Sequence, residues 1–194
     1  QHSASKFKDK VVTHTRIGDK DKTKQIYGGS YVIEKEELPI FRELYYDHVF
    51  VKKNKEHLTE VQFKDGGPIC VDFDFRYSYD ITERQHNSEH IQDMILLYLE
   101  VLKELFEFDS SETFDIIIQE KPNVNRLEDK KVTKDGIHML INIKADHITQ
   151  QILRDRIIKE IPQIWELPLT NEWASVLDEG ISKGTTNWQL FGSC

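Results

Sequence analysis

Cysteine is almost missing: Cys70 and Cys194 are the only two in 194 residues, too few for a secreted disulfide framework or a four-cysteine zinc site. Reducing surroundings suit such a chain. No apolar run approaches the roughly 20 residues that a membrane-crossing helix needs. The stretch from Gln1 to Lys10 is polar and basic, without the apolar segment of a secretory signal. An intracellular protein with no membrane association is therefore expected. Internal repeats and low-complexity tracts are also lacking. So is an excess of positive charge: the formal balance is −8, which gives the whole chain no general attraction for a phosphate backbone. Basic residues do cluster at Lys6 to Lys24, Lys52 to Lys55 and Lys130 to Lys134, so local basic patches remain available.

What is present describes a globular protein: hydrophobic residues at 38% and charged residues at 31% allow a real core, in one domain or a compact domain with a small appended lobe. Residues 1–25 are lysine-rich without periodicity and read as a basic amino-terminal arm, with the folded domain over 26–194. Leu38 to Asp47 reads as a short helix and Val49 to Val51 as a brief strand. Gly66, Gly67 and Pro68 form the strongest turn signal. From there Ile69, Val71, Phe73 and Phe75 alternate with Cys70, Asp72, Asp74 and Arg76, the pattern of a half-buried strand.

A helix capped by Asn87 or Ser88 follows, with apolar residues from Ile91 to Phe106 at spacings of three and four. Phe114 to Gln119 reads as a core strand, a polar loop extends to Thr133, and Ile137 to Ile143 alternates again. A second helix is expected from Thr149 to Ile161, capped by Asp146, with Pro162 just past its end. Val176 to Asp178 and Trp188 to Phe191 look like short strands around a turn at Gly180 to Gly184. Strands mixed with two good helices make an α+β or α/β sheet protein.

Residues two apart on a strand project from one face, so Asp72 and Asp74 aim two carboxylates at one spot. Such like charges are unfavourable unless something positive sits between them, and Mg2+ or Mn2+ suits hard oxygen ligands. A solvent-facing strand edge carrying two ordinary acids is the other reading. Thr133-Lys134-Asp135-Gly136-Ile137-His138 places His138 on the face opposite Ile137 and Met139. There it is either a surface histidine or, beside a metal site, a phosphate donor with Lys134 as second partner. In Val176-Leu177-Asp178 an apolar pair delivers a third acid, which completes the usual set for two-metal phosphoryl chemistry. Arg76 shares the strand face of the acids and either contacts phosphate or balances their charge. Trp188 either stacks on a base or belongs to the core. His86 and His90 lack the cysteines that would make them a zinc site.

In their order these parts resemble the three-motif plan of archaeo-eukaryotic primases and primase-polymerases. The resemblance is closer to the amino-terminal primase region of primase-helicases of large nucleocytoplasmic DNA viruses. It rests on Thr15-Arg16-Ile17-Gly18-Asp19, Ile26-Tyr27-Gly28-Gly29-Ser30-Tyr31, Val71-Asp72-Phe73-Asp74-Phe75-Arg76-Tyr77, Glu120-Lys121-Pro122-Asn123-Val124-Asn125, Thr133 to His138, and Asn187-Trp188-Gln189-Leu190-Phe191-Gly192-Ser193.

The resemblance implies an α+β catalytic core with a mixed or antiparallel sheet and flanking helices. It implies template-directed primer synthesis from nucleoside triphosphates on single-stranded DNA, with Asp72, Asp74 and Asp178 as Mg2+ or Mn2+ ligands. His138 matches the histidine that contacts nucleotide phosphates, and Lys134, Gly136, Arg76 and Trp188 join it as candidate nucleotide-binding residues. A helicase module downstream and a viral replication compartment in the host cytoplasm are implied as well. The family's last motif runs on into basic residues where this sequence stops at Cys194, as in a carboxy-terminally truncated fragment. Two other functions fit parts of the pattern. A nucleotide-sugar glycosyltransferase also uses Asp-x-Asp, though it does not require Gly136-Ile137-His138. An inactive nucleic-acid-binding module of a replication complex would gain nothing from three converging acids.

Overall fold

The structure, a computed structural model, describes residues 11–18, 26–63, 65–109 and 111–193. The chain forms two units, one built from the described residues up to Gln62 together with those from Thr186 onward, the other spanning Phe63–Thr185. Along the chain run β1 (His14–Arg16), β2 (Gly29–Tyr31), α1 (Leu38–Tyr46) and β3 (Leu58–Glu60). There follow β4 (Gly67–Ser78), α2 (Ser88–Leu105), β5 (Ile116–Glu120), β6 (Asn125–Leu127), β7 (Val132–Ala145) and α3 (His147–Ile164). The short helices α4 (Trp173–Val176) and α5 (Glu179–Ser182) and strand β8 (Trp188–Gln189) are the last of the described elements.

In the first unit the antiparallel order is β2-β1-β3-β8. Most of the expected basic arm, residues 1–10 and 19–25, lies outside the described residues, as does Cys194. The described stretch within that arm carries β1. Helix α1 starts with Pro39 in its first turn and continues as a wider π-turn over Asp47–Val51, where the Lys52 amide donates to Asp47 O at 2.8 Å. The strand expected at Val49 to Val51 is therefore helical. Three apolar residues carry too little periodicity to separate the two conformations.

The second unit holds the larger core. Its sheet runs β4-β7-β5, with β6 also paired to β7, and every pairing is antiparallel. The α+β class read from the sequence holds, with two antiparallel sheets and flanking helices. Strand β4 starts after Gly66, whose φ of +86° and approach to Ala145 O, 2.4 Å from where a Cβ would lie, admit only glycine. From Ile69 to Tyr77 the odd-numbered residues are buried, and they pack with Ile137, Met139 and Ile141 of β7.

Helix α2 covers this face with Met94, Tyr98 and Leu102, and α3 with Leu153, Ile157 and Ile161. Each such side chain withdrawn from water stabilises the fold by roughly 1.5–3 kcal/mol. The caps are those the sequence announces: the Asn87 side chain accepts from the Glu89 and His90 amides, and Asp146 accepts from the Thr149 amide. Pro162 lies inside α3, near its end and not past it, and its missing amide removes one helical hydrogen bond there. No described helix is long and apolar enough to cross a membrane.

Candidate active site

Strand pairing, more than sequence spacing, assembles the site. In the β4–β7 register Asp72 faces His138, Asp74 faces Gly136 and Arg76 faces Lys134, so all six residues share the sheet face turned away from the core. His138 Nε2 lies 3.3 Å from Asp72 Oδ1, and Lys134 Nζ lies 2.9 Å from Asp74 Oδ1. Arg76 reaches back along its own strand to Asp74 Oδ2, with Nη2 at 3.0 Å and Nε at 3.3 Å. Both carboxylates are about one-quarter exposed, open enough to exchange partners with an arriving ligand. Gly136 is required by space: a Cβ there would lie 2.5 Å from Phe73 O. A bare backbone opposite Asp74 is the only arrangement that keeps the two strands in contact.

The segment carrying Asp178 differs from its sequence reading. Val176 to Asp178 is not a strand. Val176 closes α4, and a single bridge, Leu177 with Phe73, ties the chain to β4. The result still brings the third acid to the first: the Asp178 amide donates to Asp72 O at 3.0 Å, and both residues line one small cavity of about 10 Å³, room for roughly a single water. Asp178 also caps α5, its Oδ1 accepting from the Ile181 amide at 3.0 Å.

Several residues that build the site carried no sequence signal. Asn171 lies along the outer edge of β4, donating to Asp74 O and accepting from the Arg76 amide, each at 3.0 Å. The Thr170 amide bonds Arg76 O at 2.8 Å. An edge strand that would otherwise expose its backbone is thereby covered. Arg154 of α3, 8% exposed, donates to Leu177 O at 3.0 and 2.9 Å and to Ala174 O at 2.7 Å. Those carbonyls end a one-turn helix and have no intrahelical partners. Arg154 satisfies them and so holds the Asp178 segment in place.

Behind the site, Asp135 points into the core with no exposed surface, between the outward-facing Lys134 and the close-packed Gly136. Arg84 binds it through Nε at 2.8 Å and Nη2 at 3.1 Å, and Asp135 Oδ1 accepts the Gly136 amide at 2.9 Å. The hydrogen bond to Asp135 pushes the Arg84 guanidinium still higher than usual, against the opposing effect of burial. His86, with a buried side chain, meets Glu120 Oε1 at 2.7 Å, and His90 completes the capping box of α2. Both histidines thus have structural work and no zinc role is needed. Trp188 lies in β8 of the first unit and is 6% exposed, as a core residue would be.

Among the described residues, no three His, Cys, Asp or Glu side chains stand together as a ready-made metal cage. The expected triad of acids is joined through backbone, while its carboxylates are held by His138, Lys134, Arg76 and a helix cap. The donor set nonetheless suits a hard divalent cation: magnesium commonly takes one or two carboxylates and completes its shell with water and substrate phosphate. Asp72 and Asp74 supply two such carboxylates on one face.

An antiparallel α+β domain with an acidic strand facing a Lys-x-Gly-x-His strand is consistent with the class of archaeo-eukaryotic primase domains. The chain belongs to one family of that class, described as the C962R protein N-terminal AEP domain, whose model matches residues 21–194. It is also similar to the protein named "Putative helicase L207/L206" of Acanthamoeba polyphaga mimivirus, 28% identical over 169 residues that cover 85% of this chain. The chain spans 17% of the length of that relative.

Proposed function

We propose that this domain is the catalytic part of a DNA primase or primase-polymerase, joining nucleotides on a single-stranded template in viral DNA replication. One observation carries the reading: Asp72 and Asp74 share a sheet face with His138 and Lys134, acids and nitrogen donors side by side. In the reaction a 3′-hydroxyl attacks the α-phosphorus of a nucleoside triphosphate, a P–O bond forms, and the bond to the pyrophosphate leaving group breaks. Asp72 and Asp74, with Asp178 beside them, would hold Mg2+ or Mn2+, which supplies charge stabilisation for the attacking and leaving oxygens.

The chain's own groups do the remaining positioning. On arrival of a triphosphate, His138 and Lys134 exchange their carboxylate partners for phosphate oxygens, with Arg76 as a third cation. Gly136 leaves the space between them free of a side chain. Catalysis of this kind depends mainly on orientation and charge. Family membership favours nucleotide chemistry over nucleotide-sugar transfer. The similarity to a much longer helicase-named protein supports a helicase module as partner, within the same polypeptide or beside it.

The test is incorporation of labelled nucleoside triphosphate on single-stranded DNA with Mg2+ or Mn2+. Asp72→Ala and Asp74→Ala should each lower the rate by at least about 100-fold, the scale of losing a preorganised electrostatic partner, with unchanged thermal unfolding. Wild-type rates in either folded variant would end the assignment.

A further inference from the structure

The sheet of the second unit treats its two edges differently. The outer edge of β4 is covered by Thr170 and Asn171, whereas β5 at the opposite edge pairs only with β7. The Asn142 amide donates to Asp115 O at 2.9 Å, which sets the phase of that pairing. Backbone groups of successive residues alternate in direction. Ile117 and Gln119 therefore bond to β7, while the amides and carbonyls of Ile116 and Ile118 turn outward. Among the described residues these outward groups have no partner.

Nothing in the strand guards this edge. Ile116-Ile117-Ile118 holds no lysine or proline, its pairing has no bulge, and Ile117 is 48% exposed. Beside the edge lies a groove of about 550 Å³ lined by Leu99 and three aromatic rings, with Phe108 6.0 Å from Phe106 and 5.8 Å from Phe114. Phe114 stands two positions before Ile116 and packs on the same core as Ile116 and Ile118, so groove and edge are continuous. The charge beside them is negative. From Phe106 to Asp115 the chain carries Glu107, Asp109, Glu112 and Asp115 and no Lys or Arg. Glu107 and Glu112 line the groove, against Lys103 as its one cation. At the far end of β5, Glu120 is already held by Arg84 and His86.

We propose that β5 is a docking edge for an extended polypeptide segment of a protein partner, which joins the sheet as an added antiparallel strand. Main-chain bonds to Ile116 and Ile118 hold the segment's backbone, and its alternate apolar side chains enter the groove beside Phe114. Lys or Arg residues at the segment's carboxyl end then meet Glu107 and Glu112, because antiparallel addition brings that end to the start of β5. The acids repel a phosphate backbone, and a second copy would bring the same net charge of −8 to this acidic end. The inference goes beyond the proposed catalytic role and stands without it.

The test uses the full 194-residue chain and fluorescence anisotropy of a labelled peptide, Thr-Val-Thr-Val-Thr-Val-Lys-Lys-Lys. In antiparallel addition the valines that face the groove also turn their amides to β5. Methylating the valine nitrogens should weaken binding at least about tenfold, the scale of several lost hydrogen bonds, while methylating the threonine nitrogens should change it little. Glu107→Lys combined with Glu112→Lys, both at exposed positions, should weaken binding several-fold, as should glutamates in place of the peptide's lysines. Ile118→Pro removes an outward amide and no bond to β7, and should match the valine methylation. If that variant unfolds, the methylated peptides decide alone. Failure of the unmethylated peptide to bind, or equal binding of all three peptides, overturns the proposal. So does a dimer in sedimentation velocity that the peptide dissociates, since the occupant is then a second copy. None of these residues belongs to the proposed active site, and primer synthesis by Asp72→Ala tests the catalytic reading, so the two ideas fail separately.

Discussion

The backbone amide of Asp178 donates to the carbonyl oxygen of Asp72 at 3.0 Å. Two acids far apart in sequence are joined through main-chain atoms, which leaves their carboxylates available for other partners. The connection is short: one hydrogen bond and one bridge between Leu177 and Phe73 hold it to β4. Val176 and Leu177 also pack into the core there, and the segment's carbonyls are gripped from the other side.

Arg154 is that grip. Arg154→Met should destabilise the protein by about 2–4 kcal/mol, since hydrogen bonds from a charged donor contribute roughly 1.5–3 kcal/mol and their loss leaves buried carbonyls unpaired. Arg154→Lys should restore only part, because one ammonium cannot reproduce the planar fork that serves Ala174 O and Leu177 O together. Urea unfolding measures both. Equal stability of Arg154→Met and wild type would show that the segment is held by other means.

His138→Ala should act mainly on nucleotide affinity. A charge-assisted hydrogen bond to phosphate contributes about 1.5–3 kcal/mol, or roughly 10–100-fold in KM, with a smaller change in kcat. Steady-state kinetics against nucleoside triphosphate separates the two. A fall in kcat at constant KM would move His138 from binding to the transition state.

Asp135 is predicted to be a stability residue despite its place in the Lys134-to-His138 motif. Arg84→Met strands its carboxylate in the core and should cost about 3–5 kcal/mol, the usual penalty for breaking a buried pair. Adding Asp135→Leu to that variant should recover part of the loss, because the unpaired charge is gone although the Gly136 amide loses its acceptor. Denaturant midpoints for the single and double variants decide this. A double variant no more stable than Arg84→Met would reject the account.

In the first unit, Glu56 is buried against Arg16. Desolvation pushes its pKa up, but the Arg16 hydrogen bond, the His57 amide and nearby positive charge outweigh it and hold the carboxyl below the ordinary glutamate value. A depressed folded-state pKa means that stability from this group is complete above the ordinary glutamate range and is lost as pH falls through the folded value. Thermal unfolding followed from neutral pH downward should therefore show a decline that flattens in Glu56→Gln. Parallel curves for the two proteins would exclude Glu56 as a contributor.

Local patterns were readable because local physics sets them. The alternation of β4 and the helical spacing of α2 follow from backbone geometry over a few residues, and the Asn87 and Asp146 caps follow from unpaired amides at a helix start. Asp72, Asp74 and His138 were found for that reason: each lies on the polar side of a clear alternation. The same rule shows its limit at Asp135. It sits on the apolar side of that alternation, and nothing local announces the Arg84 that satisfies it there.

The sequence by itself determined the two long strands, the two main helices and the strand face on which Asp72, Asp74 and His138 stand, since each depends on neighbours only a few positions away. Tertiary structure alone decided that Asp72 faces His138, that Asn171 covers the edge of β4, and that Arg154 holds the segment bearing Asp178. These contacts join residues that only chain closure brings together. Closing such loops costs entropy repaid by the packed core, and no periodicity along the chain records which partners that core selects.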